Sequence, residues 1–206
     1  MYEELRGSNF ELVAVAQDTG GEAAAGPFYD AAKATYTALV DPRHTVSALF
    51  NLVNVPTAVM IDEEGRIARL DEGAYTRTYR AGNLTYGTDA YVPALRDWVA
   101  KGSASAVAKQ PGEVSAALPR RSREQDLADA HFRLGVHFQL AGDEERANRH
   151  WEEAQRLHPE SWNYHRQDWS FTPEEAGPNW LRKVQAQGDK PYYAPMDLPE
   201  VEDPPP

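Results

Sequence analysis

The run Asn54-Val55-Pro56-Thr57-Ala58-Val59-Met60-Ile61-Asp62-Glu63-Glu64-Gly65-Arg66-Ile67-Ala68-Arg69-Leu70 decides the reading of this chain. A proline leads directly into β-prone residues, Thr57 to Ile61, as suits an edge or strand-opening position. Glu63-Glu64-Gly65 then forms a tight turn with glycine where positive φ is needed, and Arg66 to Leu70 returns. The segment predicts a proline-led antiparallel hairpin.

Upstream, Phe10 to Ala16 is a nearly continuous apolar run, as expected of a strand covered on both faces. Tyr2 to Arg6 reads as the tail of a helix stopped by Gly7. So short a helix is unstable alone, and the chain is expected to begin part-way through a fold. Pro27 is expected to open a helix with Phe28, Ala31, Ala32 and Tyr36 on one face. Thr37 to Val40 reads as a second strand and Val46 to Leu52 as a brief helix. Downstream of the hairpin, Asp89 to Lys101 predicts a helix with Val92, Leu95, Trp98 and Val99 on one face, capped by Thr88 or Asp89. The parallel and antiparallel parts are expected to share one mixed sheet.

The 206 residues carry a formal charge of −11 from 21 basic and 32 acidic side chains, which argues against general nucleic-acid binding. No apolar run approaches the roughly 20 residues of a membrane span, and the first residues are not a signal peptide. A cytoplasmic chain is expected, any export signal lying upstream of Met1. Cysteine is absent. That excludes disulfides, Cys-ligated zinc, iron–sulfur clusters and thiol nucleophiles.

The Phe10–Asp18 strand, the Val55-Pro56-Thr57 turn and the Ile61–Ile67 hairpin together resemble the thioredoxin-like superfamily. The nearest branch is that of the thiol–disulfide oxidoreductases and alkyl hydroperoxide reductases. The resemblance implies a cis Pro56 whose loop exposes the Val55 backbone, so that an extended peptide or glutathione-like substrate pairs there as an added strand. Val55, Pro56 and Thr57 are then the substrate-binding residues. The residues alone also allow a trans proline opening an edge strand.

In such proteins the reactive cysteine stands at the N-terminus of the first long helix, where the helix dipole lowers its pKa. Here Met1 to Arg6 correspond to the last turns of that helix. Two accounts stand: a non-catalytic relative, or an N-terminally truncated reading of a gene whose upstream part carries cysteine or selenocysteine. Truncation is the expectation, because losing a central strand leaves its neighbours' backbone groups unpaired. The resemblance implies thiol- or selenol-dependent disulfide exchange or peroxide reduction for the whole gene product, with a protein or peptide disulfide or thiol as partner. This chain alone is expected to be inactive. The alternative is a redox-dead scaffold that holds another protein through its helical hairpin or the Val55 loop.

Residues 102–123, rich in Ala, Ser, Gly and Pro, read as a linker. Ser122 with Gln125 makes a capping box. His131, Leu134-Gly135, Phe138, Ala147, Trp151, Ala154 and Pro159 then follow the pattern of one tetratricopeptide repeat, with Gly135 and Ala147 allowing two helices to approach. A single such hairpin has to bury its faces elsewhere, and Ser161–Trp169 and a helix from Pro178 are the available covers. The tail from Gly188 is expected to be extended, anchored in part by Tyr192 and Tyr193 and free at its end.

The expected architecture is thus α/β. An N-terminally truncated thioredoxin-like mixed sheet occupies 1–101, with a linker at 102–123. A small all-α tetratricopeptide-like hairpin region follows at 124–187 and a proline-rich tail at 188–206. His131, His137, His150, His158 and His165 lack metal-ligand spacing. The Asp71–Gly87 stretch, with Tyr75, Tyr79, Tyr86, Arg77 and Arg80, reads as a surface excursion or a groove for an anionic or peptide substrate. Arg120, Arg121 and Arg123 read as a solvated cluster. No catalytic residue, cofactor or metal ligand is assigned.

Overall fold

The computed structural model describes residues 1–81, 84–118 and 120–201. In chain order the elements are α1 (Tyr2–Leu5), β1 (Val13–Ala16), α2 (Glu22–Ala32), β2 (Thr37–Val40), α3 (Thr45–Phe50), β3 (Thr57–Ile61), β4 (Ile67–Glu72), β5 (Tyr79–Ala81) and β6 (Leu84–Tyr86). There follow α4 (Tyr91–Lys101), a 3-10 turn at Gly102–Ala104, α5 (Pro111–Ala117), α6 (Arg123–Leu140), α7 (Glu144–Leu157), α8 (Trp162–Trp169) and α9 (Pro173–Ala186). This is a mixed α/β chain in which helix predominates.

Among the described residues the expected single mixed sheet is not formed, and the strands make three two-stranded sheets: parallel β1–β2, antiparallel β3–β4 and antiparallel β5–β6. A mixed sheet requires one strand bonded to both a parallel and an antiparallel neighbour, and none of these strands is so placed. Nor is the first strand covered on both faces, since Val13 and its neighbour-strand residue Leu39 stay 51% and 48% exposed.

The described residues divide into two compact units. The first takes in those of Met1–Glu11, Asn54–Pro119 and Gln187–Pro206, and the second Leu12–Val53 and Arg120–Ala186.

In the first unit the hairpin forms as its local signals dictate. Gly65 has φ +78° and its N–H donates to the Asp62 carbonyl across 2.9 Å. The Val55–Pro56 peptide bond is cis. Tyr91, Ala94 and Leu95 of α4 recur at helical spacing and pack with Met60, Ala68, Leu5 and Val107 into one core, Trp98 and Val99 lying at its margin. Neither Thr88 nor Asp89 is the N-cap of α4, which is Ala90. Asp89 instead accepts from the Thr78 hydroxyl and N–H.

The stretch expected to be a linker is structured. Gln110 and Glu113 make a reciprocal capping box with Pro111 inside the first turn of α5, and Val107 and Val114 are buried. Composition misleads here because small residues suit tight packing as well as flexible linkers. The excursion 71–87 also carries the short pair β5–β6. Tail residues Met196, Leu198 and Val201 pack against the core, while the expected free end at 202–206 lies outside the described residues.

In the second unit α6 and α7 form the expected hairpin. Ser122 accepts from the Gln125 N–H, Gln125 reciprocates, and Asp143 caps α7 through the Arg146 N–H. Ala128, Phe132, Val136, Ala147, Trp151 and Ala154 are buried together with Tyr164 of α8, whose ring stacks on Phe132 at 4.5 Å. Two helices start earlier than expected. Pro27 and Pro178 lie inside α2 and α9 rather than at their starts, each removing one i→i−4 bond. Phe28, expected on a core face, is 78% exposed.

Candidate functional site

The Asn54–Thr57 turn is held from beneath by its own side chains. Asn54, 1% exposed, accepts the Val55 N–H at its Oδ1 across 2.9 Å. The Thr57 hydroxyl donates back to the Asn54 carbonyl at 2.7 Å. The Pro56 carbonyl accepts the Gly73 N–H at 2.8 Å, joining the turn to the end of β4. These bonds fix the direction of the two groups left over, the Asn54 Nδ2 and the Val55 carbonyl.

Those outward groups meet the tail. The Asn54 Nδ2 donates to the Tyr192 carbonyl at 3.1 Å, and the Tyr193 hydroxyl donates to the Val55 carbonyl at 2.9 Å. Gly73 lets this happen: it has φ +66°, and a Cβ placed on it would lie 2.7 Å from Tyr193 Cγ. Further along, the Ala194 N–H bonds the Glu72 carboxylate, whose pKa is raised because burial outweighs that bond. Arg69 Nη2 donates to the Asp197 carbonyl at 2.6 Å. Residues 192–197 of the tail are thus fastened to the turn and β4 by bonds that each have a side chain at one end.

Of the predicted substrate residues, Val55 offers its carbonyl to Tyr193, Thr57 stabilises the turn, and Pro56 is exposed. The tyrosines of 71–87 form a cluster. Tyr75, Tyr79 and Tyr86 pack on one another with centroids 5.0–5.6 Å apart, and Tyr193 joins them at 6.0 and 6.2 Å. Arg77 lies over the Tyr79 ring.

Sequence reading missed several partnerships. Arg121, taken as solvated, bonds the Asn51 side chain and the Ala48 carbonyl. His44 is buried, donating to Gln167 Oε1 at 2.7 Å beside the Thr19 hydroxyl, and burial lowers its pKa. That donation places the proton on Nε2. His131 and His150 meet through their Nδ1 atoms at 2.9 Å. Burial first, then the charge of His131, lowers the His150 pKa. Among the described residues no group of three or more His, Asp or Glu is arranged for a metal ion. Among them, too, no helix is long and apolar enough to cross a membrane.

The site holds no sulfur nucleophile. It presents one fixed amide donor, Asn54 Nδ2, to a backbone carbonyl and one carbonyl acceptor, that of Val55, to a side-chain hydroxyl. No family model matches this chain, nor does any curated protein or any solved structure.

Proposed function

We propose that this chain is a thioredoxin-like binding module, redox-inactive by itself, that holds an extended polypeptide along Asn54–Thr57. The observation carrying this reading is the pair of bonds from Asn54 to the Tyr192 carbonyl and from Tyr193 to the Val55 carbonyl. The donor takes a backbone carbonyl and the acceptor a tyrosine hydroxyl, so the turn selects a segment by one main-chain group and one side chain. The chain's own tail is the resident occupant, and intramolecular tethering gives it an effective concentration in the millimolar range.

The test uses the full chain with Tyr193→Ala, which weakens the resident segment, and a synthetic peptide of residues 187–201. Amide resonances of Val55 and Gly73 should shift on titration with millimolar peptide, and Asn54→Ala in the same background should remove the response. Shifts elsewhere, or none, would overturn the reading.

The second reading is thiol- or selenol-dependent disulfide or peroxide reduction by a longer product of the same gene. Its support is the resemblance carried by Phe10–Asp18, Val55–Thr57 and Ile61–Ile67. A coupled thioredoxin or glutathione assay on the chain with and without the in-frame upstream codons distinguishes the two. Turnover only with those codons favours the oxidoreductase, and inactivity of both favours the binding module.

A further inference from the structure

The second unit has a groove unrelated to the Val55 turn. Arg43 and Leu49, before and within α3, form one wall, and Arg133, Leu134, His137 and Leu140 of α6 form the other, around a volume of about 830 Å³. Residues 130, 133, 134, 137, 140 and 141 recur at three- and four-residue steps, so they lie on one stripe of α6. The buried residues Phe132 and Gly135 belong to another face, whereas buried Val136 also lines the groove. Leu49, Leu134 and Leu140 are 77%, 42% and 49% exposed, an unusual grouping for a surface with nothing to bury.

The charged side chains that line the groove are mostly basic. Arg121 and Asp129 neutralise each other at 3.6 Å. Arg43 and Arg133 are exposed, and neither guanidinium has a hydrogen-bond or ion-pair partner among the described residues. The rest of the chain is acidic, at −11 overall. Asp41 opposes them in part: its carboxylate accepts the Arg43 N–H at 3.3 Å and so lies inside the screening length, about 8 Å at physiological salt.

We infer that this groove binds an amphipathic helical segment of another protein, with leucine-like side chains on one face and Asp or Glu flanking them. The stripe from 130 to 141 gives a track of roughly 16 Å at 1.5 Å per residue, room for about three helical turns of ligand. Apolar anchors would enter between Leu49 and Leu134, as in helix-in-groove recognition. Carboxylates on the flanks would pair with Arg43 and Arg133, which bind them bidentately. A second copy of this chain is the rival occupant.

A display library of random 16-residue peptides selected against the full chain tests this. Selected peptides should show apolar residues at three- and four-residue steps with flanking acids. Arg43→Glu with Arg133→Glu should weaken their binding about tenfold or more, and changing the acids to lysine should restore it. Leu134→Asp, on an exposed position, should abolish binding without altering the far-UV circular dichroism or the melting temperature. No enrichment, enrichment without acids, or indifference to the charge reversal would overturn the inference. So would a concentration-dependent dimer in sedimentation equilibrium that Leu134→Asp dissolves.

Discussion

The Tyr193 hydroxyl reaches the Val55 carbonyl 138 positions back along the chain, at 2.9 Å, and the same hydroxyl lies 3.2 Å from that of Tyr75. One side chain therefore ties the tail both to the turn and to the tyrosine cluster beside it.

Removing the hydroxyl alone should be mild. Val55 is only partly buried, so water replaces the lost donor, and Tyr193→Phe should cost about 1 kcal/mol in urea unfolding. Gly73→Ala should cost more, about 1–3 kcal/mol. Its φ of +66° opposes any Cβ, and the added carbon would press on the Tyr193 ring. Amide exchange should then accelerate at Tyr192–Ala194 more than in β3. Equal acceleration throughout would contradict a tail held locally at Gly73.

Arg69 and Asp71 form an ion pair at 2.6 Å with side chains only 2% and 5% exposed. Alternate residues of a strand share a face, which brings them together on β4. Asp71→Asn leaves the guanidinium buried beside a neutral amide, and the expected loss is about 3–5 kcal/mol. Arg69→Met with Asp71→Leu should recover most of it, since removing both charges removes the desolvation cost. The recovery will be incomplete because Arg69 also holds the Asp197 carbonyl. Urea unfolding of the single and double variants measures both.

What was legible in the sequence was local. The Asp62–Gly65 turn and the Ser122–Gln125 box each rest on residues within four positions of one another, so a short window contains the physics. The small Gly135 opposite a large residue was legible from the repeat pattern. Sheet closure and the tail's seat were not, because both depend on partners far along the chain. Tyr192 and Tyr193 read as anchors, but nothing near them names Asn54 or Val55. His131 and His150 meet across a hairpin, 19 residues apart, where a search for same-helix spacing does not look. The groove was hidden because α3 and α6 are separated by more than 70 residues, and only their packing makes Leu49 and Leu134 neighbours.

Gly135 should be intolerant of any side chain. A Cβ there would overlap Cδ1 and Nε1 of Trp151, which is 1% exposed and has no room to retreat. Gly135→Ala gains helix propensity of up to about 1 kcal/mol, yet overpacking should reverse the sign and leave a net loss of about 1–3 kcal/mol. The Trp151 indole N–H has no partner among the described residues, so Trp151→Phe forfeits volume but no hydrogen bond. The double variant should therefore be more stable than the sum of the single losses predicts, as a thermal-unfolding cycle would reveal. Simple additivity would mean that the helices slide apart instead.

Acid should destabilise the second unit through its buried histidines. His165 is held from the ordinary 6.5 down to about 4, first by burial and then by the charge of Lys183. Its Nε2 is buried without a partner among the described residues. Above about pH 6.5 both folded and unfolded forms are neutral here, and stability does not depend on this group. Between 6.5 and 4 the unfolded chain binds a proton that the folded one refuses, so stability falls as pH falls, levelling off below about 4. The full loss is on the order of 3 kcal/mol for His165, and His44 and His158, also lowered by burial, add to it. Asp168, whose pKa burial raises, works in the opposite direction at the acid end of the range. Urea midpoints should thus decline as the pH is lowered from 7 to 5. His165→Gln, which cannot titrate, should flatten that decline, and an unchanged slope in the variant would assign the acid sensitivity to other groups.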